Sequence, residues 1–121
     1  MGAIIVDSKK VKEEQIWGPS VPFFDKKMFR GKEFAATYRR LKPARFDSMK
    51  EHKVHDHGDS WEIAFFLKGR IKEYFEGIGT KEIGPGDLLI VEPHTTHGLV
   101  EVLEDNEQVV FYVPTPKSGR Y

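Results

Sequence analysis

Three histidines and one glutamate carry the chemistry that this sequence can offer: His55, His57, Glu62 and His97. Side chains alternate along an extended chain, so the imidazoles of His55 and His57 share one face if that segment is a strand. Glu62 follows the turn-forming run Gly58-Asp59-Ser60, and His97 can arrive from a strand distant in sequence. Three imidazoles and one carboxylate suit one divalent transition metal ion, whether iron, manganese, nickel, copper, cobalt or zinc. With octahedral coordination two positions stay open, which marks a reactive centre rather than a sealed structural one. A single carboxylate leaves the ion with residual positive charge, favouring an anionic or enolisable oxygen ligand. The bland alternative is a polar cluster that binds no metal.

The remaining histidines fit this picture less well. His52 lies three positions before His55 and points to the opposite face unless a bulge intervenes, which gives it a surface or supporting place. His94 sits in the turn before His97, at the rim of the site or simply exposed. A helical zinc motif would need His-Glu-x-x-His, and the polar, glycine-containing surroundings of Gly58 provide no helix for it.

The elements that must position these residues read as short strands. The chain has 121 residues, enough for one domain with a real core. It has no cysteine, which excludes a disulfide scaffold, a thiolate zinc site and a cysteine nucleophile. Lysine plus arginine equal aspartate plus glutamate at 19 each, so no nucleic-acid or membrane partner is expected. Ala3-Ile4-Ile5-Val6 is too short for a signal-peptide core or a span and reads as an edge strand. A cytoplasmic protein is expected. Asp7 or Ser8 can cap a brief helical turn that Pro19 and Pro22 end.

From Phe34 onward the strand signals strengthen. Phe34 to Leu41 reads as a strand, and Gly31 as a turn before it. Glu62–Leu67 and Arg70–Phe75 read as a hairpin around Lys68-Gly69, pairing Phe66 with Ile71, Ala64 with Glu73 and Glu62 with Phe75. If Glu62 faces inward, so do Phe66, Glu73 and Phe75. A buried carboxylate at Glu73 would then be a candidate catalytic acid or base, and Phe66 and Phe75 candidate substrate contacts. A register shift by one would turn Glu73 to solvent and bring Lys72 and Tyr74 inside. Gly84-Pro85-Gly86-Asp87 is a tight turn into Leu88–Val91. Leu99–Leu103 and Gln108–Val113 read as a last pair, with Leu99 and Glu101 on the inner side and Glu101 a further substrate contact. The outer residues Ile63, Phe65 and Leu67 are apolar and need a cover. Many short strands with regular turns indicate an all-β sandwich or barrel.

The spacing His-x-His, four residues, Glu, six residues, Gly resembles the first motif of the cupin superfamily: His55, His57, Glu62, Gly69. Gly86-Asp87, with Pro93 and His97, resembles the second. The resemblance covers roughly positions 45 to 113. Met49 stands where a glycine usually precedes the first histidine, His94 replaces the glycine of the Pro-Gly-x-x-His turn, and the trailing asparagine is absent. The resemblance implies a jelly-roll barrel over residues 35–116, with residues 1–34 as N-terminal strands and an arm packed on it. It also implies metal inside the barrel, held by His55, His57, Glu62 and His97, and a homodimer formed through the apolar face.

Two functional classes follow. One is a metal-dependent enzyme, of dioxygenase, isomerase or lyase type, acting on a small oxygen-bearing substrate. The other is a non-catalytic small-molecule binding or sensing protein. The fold that the motifs imply hosts both, so it does not choose the reaction.

Overall fold

The computed structural model describes residues 2–46 and 54–118. A 3-10 turn, Ser8–Lys10, precedes ten strands: β1 (Glu14–Gln15), β2 (Phe23–Arg30), β3 (Ala35–Leu41), β4 (Ala44–Arg45), β5 (Trp61–Lys68), β6 (Ile71–Phe75), β7 (Gly79–Ile83), β8 (Leu88–Val91), β9 (His97–Val102) and β10 (Asn106–Val113). They form two antiparallel sheets, a six-stranded one in the order β1-β2-β3-β10-β5-β8 and a four-stranded one in the order β4-β9-β6-β7. Alternate side chains of each sheet point into a shared interior. Phe23, Leu41, Phe66, Val110 and Tyr112 come from the larger sheet, and Ile71, Phe75, Ile83, Leu99 and Val102 from the smaller. This is the jelly-roll arrangement of an all-β protein.

The local signals were mostly realised. Asp7 caps the 3-10 turn by accepting a 3.0 Å hydrogen bond from the Lys9 amide. Gly31 turns the chain between β2 and β3. Residues before position 35 extend the larger sheet through β1 and β2. Ala3–Val6, however, is not a strand, and Ile4 and Ile5 are exposed. No helix among the described residues is long and apolar enough to cross a membrane.

The two expected hairpins are absent. β5 belongs to the larger sheet and β6 to the smaller, so Lys68-Gly69 begins a crossing between layers and not a hairpin turn. The same holds for β9 and β10. The crossings brace each other. The Leu103 amide donates to the Arg70 carbonyl at 2.9 Å. Buried Asn106 donates to the carbonyls of Lys68 (3.1 Å) and Gly69 (3.3 Å) and accepts from Gln108 at 2.7 Å. Gly69 has φ +74°, and a Cβ there would collide with the Asp105 carbonyl, so glycine is required. Glu62, Phe66, Ile71, Glu73 and Phe75 still face inward, because β5 and β6 reach the same interior from opposite sheets.

A bulge corrects another expectation. Between β6 and β9, Glu73 pairs with Leu99 but Lys72 pairs with Glu101, leaving Val100 as an extra residue. His97 and Leu99 face inward before it and Val102 after it, so Glu101 is turned to the outer side beside Lys72. It is no contact for a ligand inside the barrel.

The outer face of β8, β5 and β10 is apolar. Ile63 lies between Ile90 and Phe111, and Phe65 beside Leu88, with Leu67 and Val113 nearby. Phe65, Leu67, Leu88, Ile90, Phe111 and Val113 are all exposed, and β8 is the edge strand.

Candidate metal centre

His55 and His97 meet through an isolated antiparallel bridge, with each amide donating to the other's carbonyl at 3.0 and 2.9 Å. This bridge ties His55 to the sheet. The segment then turns at Gly58, whose amide donates to Asp56 Oδ1 at 2.8 Å. The three rings nevertheless converge. Centroids lie 4.9 Å apart for His55 and His57, 4.7 Å for His55 and His97, and 5.2 Å for His57 and His97.

His97 opens β9, and its Nδ1 lies 2.8 Å from the Thr95 carbonyl. With Nδ1 as the donor in that bond, Nε2 keeps its lone pair for a ligand. Glu62 reaches in from β5 and is buried. Its Oε1 is 3.3 Å from His57 Nε2, and its Oε2 is 3.8 Å from His97 Nε2. The Tyr112 hydroxyl donates to Glu62 Oε1 at 2.9 Å and accepts from Arg39 Nη2 at 2.8 Å. Burial alone would raise the Glu62 pKa, but His57, His97 and Arg39 outweigh it and hold the carboxyl well below its ordinary range. Burial pushes the Tyr112 phenol well above its usual value, so it stays a donor.

Two overlapping ligand groups result. Nitrogens of His55, His57 and His97 all lie within 4.8 Å of one another, as do ligand atoms of Glu62, Glu73 and His97. His97 belongs to both. His57 Nε2 and Glu73 Oε2 are buried with no hydrogen-bond partner among the described residues. Buried polar atoms are rarely left so. A cation is the partner a lone-pair nitrogen and a carboxylate oxygen share, so these residues fit a metal ion.

Glu73 is buried on β6, which excludes the register that would expose it. Burial, then the charge of Glu62, pushes its pKa up to about 8. Phe75 stacks near His97 at 6.4 Å, whereas Phe66 is wholly enclosed in the core, two inward positions along β5 from Glu62. His94 takes a left-handed φ of +61°, and its exposed ring lies 2.9 Å from Asp59 Oδ1. It joins the turns preceding Glu62 and His97 at the rim. His52 lies outside the described residues.

Three residues of the site were missed from the sequence. Arg39 and Tyr112 occupy inward positions of β3 and β10, where a charged or hydroxyl-bearing side chain was a usable signal. Trp17 gave none. It has φ +68°, packs on Phe23 at 4.4 Å and turns its edge to His55 at 6.3 Å.

No protein-family model matches this sequence, and no curated protein matches it. Solved structures do match its fold. An RmlC-like cupin from Shewanella frigidimarina aligns with TM-score 0.75 and 17% identity over 97% of this chain and 96% of that one. KdgF from Halomonas sp. aligns with TM-score 0.73 and 18% identity over 92% and 94%. The polyketide cyclase RemF from Streptomyces resistomycificus aligns with TM-score 0.71 and 18% identity over 93% and 80%. Superposition along nearly the whole chain gives this protein the barrel fold of the RmlC-like cupins.

Proposed function

We propose that this protein is a metal-dependent cupin enzyme acting on a small oxygen-bearing substrate. One divalent transition metal ion would be held by His55, His57, Glu62 and His97. The observation that carries this reading is the convergence of three imidazoles on the buried, ionised Glu62, with His57 Nε2 3.3 Å from its carboxylate and in no hydrogen bond of good geometry. When bound, the ion supplies Lewis-acid polarisation of a substrate oxygen. Tyr112 and Arg39 keep Glu62 oriented, and the Thr95 carbonyl fixes the His97 ring. Glu73, buried beside His97 and Glu62 with its carboxyl pushed up to about 8 in the metal-free protein, is the group placed to exchange a proton with bound substrate. RemF, named a polyketide cyclase, is an enzyme on the same barrel, which supports catalysis as a use of this fold.

The reading includes a homodimer. The exposed apolar strip over β8, β5 and β10 ends at an edge strand, and a second copy of the strip would cover it.

Elemental analysis of protein purified without added metal tests the metal claim. About one ion per chain is expected in the wild type and none in His57→Ala. A wild-type protein that carries no metal and rejects added cobalt, nickel and zinc would overturn it. The ion found narrows the reaction, iron pointing to oxygen chemistry and zinc, nickel or manganese to isomerase or lyase chemistry.

A further inference from the structure

We propose that Arg39 anchors a carboxylate on the substrate, making this a site for a short carboxylic acid with a second oxygen donor for the metal. The inference rests on the metal-dependent reading above and adds the substrate class.

Arg39 Nε is buried and has no hydrogen-bond partner among the described residues. A guanidinium offers donors only, so a metal ion can satisfy His57 and Glu73 but never this atom. The missing partner must be an acceptor. No neighbouring side chain is in hydrogen-bond geometry with it, the nearby carboxylates being turned to other donors. Asp25 Oδ1 accepts from Thr37, Asp25 Oδ2 binds Lys27 Nζ at 2.7 Å, and Glu62 Oε1 accepts from Tyr112. Arg39 Nη2 is already committed to the Tyr112 hydroxyl, and the guanidinium lies over the Phe23 ring at 4.8 Å. That leaves a fixed planar donor edge held by packing, the form in which arginine recognises a carboxylate.

Charge points the same way. Within the barrel, Glu62 and Asp25 offset Arg39 and Lys27, so a divalent ion leaves the interior positive even with Glu73 ionised. An anionic ligand neutralises it. Distance sets its size, because a single hydroxyl, that of Tyr112, separates Arg39 from the metal-facing Glu62. One small molecule can therefore span both. Phe23, under the guanidinium, packs on Trp17, whose ring in turn lies 6.3 Å from His55.

Calorimetric titration of cobalt-loaded protein with succinate, and with monomethyl succinate, tests the proposal, with cobalt content measured on each sample. Succinate is expected to bind the wild type, at least tenfold more weakly to Arg39→Met, and the monoester more weakly than succinate. Arg39→Lys, which keeps charge but loses the donor edge, serves if Arg39→Met does not fold; a several-fold loss is expected. Equal succinate affinity in wild type and folded variant, or no succinate binding at all, overturns the proposal. If cobalt fails to bind, the metal reading falls separately. The titration is then made on metal-free protein, where Arg39-dependent succinate binding sustains the anchor and its absence rejects it.

Discussion

Tyr112 stands directly behind Glu62, its hydroxyl 2.9 Å from the carboxylate oxygen that also lies 3.3 Å from His57. The phenol spends its proton on orienting the Glu62 carboxylate, and Arg39 fixes the phenol in turn. Tyr112→Phe keeps the ring and deletes the clamp. Outer hydrogen bonds of this type are worth about 10- to 100-fold in metal affinity. A cobalt dissociation constant raised by about tenfold is expected in a competition titration, with about 1 kcal/mol lost in urea unfolding. Unchanged cobalt affinity would show that Glu62 is oriented by its backbone alone.

Glu73 gives the metal-free protein a particular pH response. Its folded pKa of about 8 lies above the ordinary 4.5, so the folded state holds a proton that the unfolded state has released. Stability from this group is therefore full below 4.5 and falls as pH rises to 8, by on the order of a few kcal/mol. Glu62 acts oppositely and in a different window: its depressed pKa stabilises above 4.5, and that contribution is lost on acidification. Urea unfolding of chelator-treated protein at pH 5.5 and 7.5 should show the decline, and Glu73→Gln should flatten it.

Trp17 should report metal binding. Its ring edge is 6.3 Å from His55, while the second tryptophan, Trp61, is half-exposed on the outer side of β5. In a Trp61→Phe background, saturating copper is expected to quench more than half of the remaining emission. His97→Ala should abolish the saturable part of that quenching. Emission indifferent to copper in protein that demonstrably holds the ion would place Trp17 away from the centre.

The apolar strip makes a prediction about assembly. Phe65→Glu with Ile90→Glu puts like charges into the middle of the outer face without touching the interior. Sedimentation should show a dimer for the wild type and a monomer for the double variant, with circular dichroism and metal content retained. A monomeric wild type would mean that the strip serves another partner.

Much of this arrangement was legible in the chain. The alternation of Glu62, Ala64 and Phe66, and of Ile71, Glu73 and Phe75, marked the inner faces correctly, because burial enforces period two regardless of which strand is the neighbour. Pairing was not legible. A glycine after Lys68 serves equally for a hairpin or for a crossing between sheets, and only the distant Asp105 and Asn106 distinguish them. Glu101 was misplaced because a bulge has no compositional mark at Val100. Phe66 is enclosed in the core because inward alternation does not reveal depth along the barrel. Arg39 was overlooked although its inward phase on β3 was readable; a lone charge on a core-facing row was the available clue.

The extra residue at Val100 divides β9 into two lengths that are out of step with each other. Upstream, the rhythm of the strand is set by His97 and the histidine–glutamate cluster; downstream, by Val102 and the hydrophobic packing. Such a break insulates one from the other. Sequence drift in the lower half can repack the core without rotating His97, and the pocket can be altered without re-threading the strand. Removing Val100 would restore plain alternation with Glu101 still outward and Val102 inward, whereas straightening the strand with every residue kept would carry Glu101 toward the interior and Val102 toward water.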